Sequence, residues 1–187
     1  MTVAPSPPCV VADIRALPLA AGRVGAAVAA FVLNHLTEPS GGLAELARVT
    51  RPGGAVLAAV FSNASRSQAR DRVDAVAQQA GWQVPDWYVD LKTTAVPILG
   101  TAGAMRAAAD AAGLAGIVVE ERPVDVGVTE PGQLVSYRLG QPLFAGWLDR
   151  IGPRRAKEIA SRAADAIRPI MQPYRPIVVF LAASTPA

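Results

Sequence analysis

Residues 10–61 read VVADIRALPLAAGRVGAAVAAFVLNHLTEPSGGLAELARVTRPGGAVLAAVF, and the class of fold is decided there. A short apolar run, Val10 to Ala12, ends in Asp13, and a second, Val24 to Leu33, ends in Asn34-His35. A third, Ala55 to Phe61, follows the turn Arg51-Pro52-Gly53-Gly54, whose glycines supply backbone angles that a Cβ would forbid. Between the second and third runs, Leu43, Leu46 and Ala47 share one helical face, with Ser40 as the expected cap and an end near Thr50. Continuous apolar runs alternating with an amphipathic helix are the pattern of parallel strands buried on both faces and joined by crossover helices. The expected class is therefore α/β, with Val28 to Leu33 as a strand buried on both faces. Ligands of open α/β sheets gather beyond the carboxyl ends of strands, which is where Asp13 and the Phe31 to Leu36 exit stand.

Length and composition narrow the reading further. The 187 residues are enough for one domain with a proper core. At 51% hydrophobic and 18% charged residues the chain is globular rather than disordered. Its net charge of +3 is small and its basic residues are scattered, so a nucleic-acid partner is not expected. One cysteine, Cys9, excludes an internal disulfide and is compatible with a reducing cytosol. The run Val24 to Leu33 is shorter than the ~20 residues that cross a bilayer. The opening MTVAPSPPC lacks the plan of a signal peptide, and its Met1 to Pro8 stretch is expected to be a tail. A soluble cytoplasmic protein without a membrane partner is the expectation.

Past Phe61 the pattern turns helical. Ser65 to Ala80 carries Ala69, Val73, Val76 and Ala77 at helical spacing and stops at Gly81. Trp82 to Leu99 reads as irregular. Thr101 caps a helix with Met105 and Ala109 inward, Ile117 to Glu120 is a strand, and Thr129 opens a helix with Pro131 in its first turn. Leu143, Phe144, Trp147, Leu148 and Ile151 form an apolar stripe, Arg154 to Ile170 a longer helix, and Ile177 to Leu181 a last buried strand. Trp82, Trp87 and Tyr88, with Phe144 and Trp147, are the candidate substrate pocket: aromatic walls for an apolar or aromatic small molecule, or equally anchors that tie a long loop to the core. His35 is the only histidine, the side-chain type suited to proton transfer near neutral pH, so it is the candidate catalytic residue; the alternative is a loop cap. One histidine and one cysteine cannot form a zinc site of the usual kind, and no metal is expected.

Asp13 followed by Leu17-Pro18, the exit FVLNHLTEP, and LAELARVTRPGG together resemble the small-molecule class I S-adenosylmethionine (SAM) methyltransferases. The resemblance covers the second half of that family's cofactor domain, and the rest of the chain resembles its C-terminal half. It implies a truncated Rossmann-like fold: a mostly parallel sheet of about five strands, an antiparallel C-terminal strand beside the one after Arg51-Pro52-Gly53-Gly54, and helices on both faces. The family's first strand, glycine-rich loop and second, acid-terminated strand have no counterpart, because only twelve residues precede Asp13. The family's strand order, 3-2-1-4-5-7-6, then leaves Val10 to Ala12 without its neighbour. That segment must pair with Val28 to Leu33 or with another chain, and a homodimer completing the sheet is one such outcome.

Within a single partial domain 1–187, the resemblance makes 10–61 the remnant of the cofactor half. Residues 62–100 become a lid or insertion, and 101–187 the C-terminal half with a helical cap at 129–171. It implies that Asp13 accepts a hydrogen bond from the adenine of SAM, that Ile14 packs on the ring, and that Ala30, Phe31 and His35 line its methionine end. The function implied is SAM-dependent methylation of a small molecule by a truncated or degenerate member of the family. The alternative is a chain that has lost the cofactor and serves as a small-molecule binding, partner or non-methylating enzyme module.

Overall fold

The sheet has four strands in the order β1-β2-β4-β3, where β1 is Val24–Ala30, β2 Thr50–Phe61, β3 Ala115–Pro123 and β4 Ile177–Ser184. These come from a computed structural model that describes residues 9–187, so the expected tail at Met1 to Pro8 lies outside the described residues. β1 and β2 are parallel, and β4 runs antiparallel to both β2 and β3. The last strand therefore inserts antiparallel beside the strand that carries Arg51-Pro52-Gly53-Gly54, as the family resemblance implies. The helices are α1 (Pro39–Val49), α2 (Gln68–Gln79), α3 (Asp86–Thr94), α4 (Ala102–Ala111), α5 (Pro131–Leu139) and α6 (Pro142–Ile167).

Two cores result. The first lies between one face of the sheet and α1 and α4: Ala27 and Ala29 of β1, Val56, Ala58 and Val60 of β2, and Leu181 of β4 pack with Leu43, Leu46 and Met105. The alternation along β2 sends every second residue into this layer, which is how a strand covered on one face reads. The second core belongs to α2, α5 and α6, where Val73, Leu134, Phe144, Ile159 and Ile167 are buried together. Phe61 of β2 leads toward α2, Pro123 of β3 toward α5, and Ile177 of β4 follows α6. With β4 antiparallel, all three connections leave the same end of the sheet, so the helical unit sits beyond the carboxyl ends of β1, β2 and β3.

The turn Arg51-Pro52-Gly53-Gly54 is a bulge inside β2 rather than a loop before it. Val24 stands opposite Thr50 while Ala26 stands opposite Ala55, so the extra residues of β2 are pushed out of the ladder. Gly53 has φ +69°, and a Cβ on Gly54 would lie 2.5 Å from the Thr50 methyl and 2.8 Å from the carbonyl oxygens of Arg51 and Gly25. Thr101 caps α4 by accepting from the amide of Ala104 at 3.2 Å, and Ser67 caps α2 in the same way from Arg70.

Several expectations are corrected. Val10 to Ala12 is not a strand: Val10 and Val11 are exposed, and Asp13 makes only an isolated bridge to Ala16, so the sheet has four strands rather than about five. Three apolar residues without a paired neighbour cannot hold a ladder. The second run is not buried on both faces. β1 ends at Ala30 and is an edge strand with Val28 66% exposed, and Leu33–His35 forms a 3-10 turn. Helices do not cover both faces; Val28, Leu57 and Val118 stand on an open apolar side of the sheet. Within the stretch read as irregular, residues 86–94 are helical (α3), with none of its residues buried. Glu38 rather than Ser40 precedes α1, and Glu130 rather than Thr129 precedes α5. Arg154 to Ile170 continues from the preceding stripe in α6 across a kink at Gly152-Pro153, the break expected of a proline inside a helix.

Candidate functional site

A cavity of about 630 Å³ lies where the sheet's carboxyl end meets the helical unit. Its floor is the exits of β1 and β2: Asn34 and His35 from the 3-10 turn, and Phe61, Ser62 and Ser65 from the end of β2 onward. One wall is α3, through Trp87, Tyr88, Leu91 and Lys92, and the other is Tyr137 of α5 and Gln141 just before α6. Arg66 and Arg70 enter from the start of α2. A cavity of this size and lining suits a single small molecule.

The floor is held in a conformation the chain does not adopt freely. Phe31 has φ 56°, a left-handed geometry that costs a non-glycine residue on the order of 1 kcal/mol. Its amide still donates to the Ala59 carbonyl at 2.8 Å, and its ring lies 4.6 Å from that of Phe61. That bend is what turns the chain from β1 into the 3-10 turn and brings His35 to the cavity. Asn34 is 8% exposed and its Oδ1 has no hydrogen-bond donor, so the floor also holds a buried acceptor. On the far side, Ser62 donates to Glu121 at 2.5 Å, and the second Glu121 oxygen accepts from the Ala102 amide at 3.2 Å. Glu121 thus ties β3 to the β2 exit and the start of α4.

The walls are fixed by a buried ion pair. Arg138 of α5, 2% exposed in its side chain, donates to Asp74 of α2 at 2.7 and 2.6 Å, reaches Gln141, and stacks 5.1 Å over Phe144. The phenol of Tyr137 is raised above its ordinary value by burial and by Tyr174, with Arg70 acting against the shift. It therefore stands in the wall as a neutral donor.

The aromatic residues divide. Trp87 and Tyr88 line the cavity, edge to face at 5.7 Å. Trp82, Phe144 and Trp147 are buried in the helical core, where Trp82 stacks on Phe144 at 4.2 Å and its Nε1 donates to the Leu143 carbonyl at 3.3 Å. Those three are anchors of the kind left open as the alternative. Sequence reading missed Arg66, Arg70, Lys92 and Tyr137. The first two are four residues apart at the start of α2, but Lys92 and Tyr137 reach the same space only through the tertiary fold.

Asp13, Ile14, Ala30 and Phe31 sit apart from the aromatic wall. Ile14 packs partly buried against the first core, together with Leu17. Glu45 accepts from the Leu17 amide at 2.7 Å, and Arg48 donates to the Leu17 and Leu19 carbonyls. Glu45 and Arg48, themselves paired at 2.6 Å, therefore staple the entry loop to α1. The Asp13 carboxylate is bound by Arg15, through Nε at 3.0 Å, Nη2 at 2.7 Å and its amide at 2.9 Å. Those hydrogen bonds hold its carboxyl at about 2, against an ordinary 3.8.

On the described residues alone the donor set does not complete a SAM site. The acceptor offered to an adenine is already engaged by Arg15. No glycine of positive φ lies at the exit of β1 or β2 to let backbone amides approach a ligand. Among the described residues no three potential metal ligands cluster, and no helix is long and apolar enough to cross a membrane.

Residues 2–58 match the family model described as a methyltransferase domain. No curated protein matches the sequence significantly. Among solved structures, the fold is shared with the [4+2]-cyclase SpnF at 20% identity and a TM-score of 0.52, over 95% of this chain and 55% of that one. It is also shared with a phosphoethanolamine N-methyltransferase 2 of Haemonchus contortus, solved with S-adenosyl-L-methionine. There the identity is 14% and the TM-score 0.51, over 94% of this chain and 36% of that one. The chain spans about half the length of the first and about a third of the second.

Proposed function

We propose, from the premise that this chain is a SAM-dependent methyltransferase-like domain, that it forms the acceptor-binding part of a small-molecule methyltransferase. The observation that carries the reading is the position of the cavity. It opens at the carboxyl ends of β1 and β2, next to the strand exit that would face a methyl donor, and its walls come from elements outside the sheet. The acceptor lies against Trp87, Tyr88 and Tyr137, and His35 on the floor takes the proton that a nucleophile loses. Asp13, Ile14, Ala30 and Phe31 form one side of a cofactor site that further polypeptide completes across the free edge of β1. Trp82, Phe144 and Trp147 shape the pocket from behind.

The edge and the open apolar face support the same reading, since Val28 and Leu57 are exposed where a sheet of this kind is normally covered. With only this chain in solution a second copy is the available cover, and a homodimer through that surface is expected.

The experiment is a fragment screen followed by amide and aromatic NMR shifts on the labelled chain. Hits that shift His35, Trp87, Tyr88 and Tyr137 support an acceptor cavity; hits that map only to the open sheet face would sink it. A second reading is a cofactor-independent binding or enzyme module. It is favoured by one observation: the Asp13 carboxylate is taken by Arg15 while the cavity stands formed without it. SpnF, named as a [4+2]-cyclase, shares the fold. Turnover of a cavity ligand without any methyl donor would favour this reading over the first.

A further inference from the structure

We infer that the cavity takes a small molecule bearing a carboxylate or phosphate group on an aromatic or apolar body. This deepens the acceptor-site reading and rests on it. Three cationic side chains line the cavity, Arg66, Arg70 and Lys92, and no aspartate or glutamate lines it. Elsewhere in the chain eight of the fourteen other arginines stand 2.6 to 3.6 Å from a carboxylate. Among the described residues none of the three cavity cations has such a partner. Like charges gathered in a concave site repel one another, and an arrangement of this kind is relieved by a bound anion.

The guanidinium groups are also pre-positioned. Arg66 donates Nη1 to the carbonyls of Asn63 at 2.6 Å and Ser65 at 3.1 Å, leaving its other N–H groups without a protein acceptor. Arg70 donates Nη1 to the Tyr174 hydroxyl at 3.1 Å, while its Nε is buried with no acceptor at all. A buried donor left unmade is costly, and an oxyanion is the acceptor that guanidinium geometry fits best. The remainder of the lining fits the rest of such a ligand. Phe61, Leu91 and Val96 are apolar, and the Trp87 ring is 53% exposed beside Tyr88, a free aromatic face for stacking. The three cations converge on one concave site of about 630 Å³, a size that suits a single small anion.

The test is a matched pair of ligands. Phenyl phosphate and benzoate, against the neutral benzyl alcohol and benzamide, are titrated into the chain by calorimetry and by tryptophan emission. Trp82 and Trp147 are buried, so Trp87 is the reporting fluorophore, and Trp87→Phe identifies its signal. The expected result is at least tenfold tighter binding of the anions, falling as salt is raised. Arg70→Gln should weaken anion binding about tenfold, the size of a lost charge-assisted bond. Arg66→Gln and Lys92→Gln, both at exposed positions that folding does not depend on, should weaken it several-fold. Equal binding of neutral and charged ligands at Trp87, or anion affinity unchanged in Arg66→Gln and Lys92→Gln, overturns the inference while leaving an acceptor cavity in place. Failure of both ligand classes at Trp87, with no other hit mapping to the cavity, overturns both.

Discussion

Asp74→Ala should be the most damaging single change in the helical unit, and the cavity wall should go with it. Arg138 is 2% exposed and Asp74 24% exposed, with the carboxylate gripped at 2.6 and 2.7 Å. Removing Asp74 leaves a guanidinium inside the core with Gln141, Tyr88 and the Phe144 ring but no carboxylate beside it. A buried charge stripped of its partner costs about 3–5 kcal/mol. For a chain of this size 1 kcal/mol moves the melting temperature by about 2–4 °C, so the loss should be on the order of 10 °C. Circular dichroism melts and urea titration give the number. Replacing both partners, as Asp74→Leu with Arg138→Met, removes the buried charge and should recover most of the stability, because apolar volume replaces an ion pair at little net cost. A single variant within about 1 °C of the parent, or a double variant as unstable as Asp74→Ala, would refute the reasoning. Ligand binding at the cavity should fall in Asp74→Ala and return in the double variant, since Tyr137 neighbours Arg138 on α5 and Gln141 follows at the start of α6.

Three further outcomes are expected. The Asp13 carboxyl should titrate at about 2 in an NMR pH series and move up toward 3.8 in Arg15→Gln. Because its folded value is depressed, the contribution is present above 3.8 and is lost as pH falls toward 2; a midpoint unmoved by Arg15→Gln would contradict the pairing. Gly54→Ala places a Cβ 2.5 Å from Thr50 and 2.8 Å from two backbone carbonyls, so it should cost at least about 1–3 kcal/mol in urea unfolding, whereas Gly53→Asn, at a left-handed position, should cost less. In sedimentation velocity the chain should dimerise through the open sheet face, and Leu57→Lys or Val28→Lys should return it to monomer; dimers unaffected by both changes place the interface elsewhere.

Much of the fold was legible because local signals agreed with the tertiary arrangement. The apolar face of α1, the Thr101 cap of α4 and the apolar run of β4 each carry their own cue, and each forms as read. The failures have a common cause: partners that sequence periodicity does not show. Val10 to Ala12 is apolar enough for a strand, yet no neighbouring strand is there to receive it. Val28 alternates with Ala27 and Ala29 as a covered strand would, yet only one side has helices to meet it. α3 was hidden by the prolines around it: Pro85 stands just before its first turn, and Pro97 lies past its end.

At the site, the β1 exit was legible, but the sorting of the aromatics was not. Trp82 and Phe144 are far apart in sequence and choose each other, while Trp87 turns outward. The basic residues read as scattered because they are scattered in sequence; the fold brings Arg66, Arg70 and Lys92 to one space.

A chain that carries the acceptor cavity without a complete cofactor site should not hold the cofactor by itself. Calorimetric titration of the chain with S-adenosylhomocysteine tests it most directly, with Asp13→Ala as the control. No saturable heat is expected up to millimolar ligand, and no difference between the parent and the variant. Micromolar binding that weakens in Asp13→Ala would contradict it, by showing that the cofactor is held by this chain and that Asp13 is one of the groups that hold it.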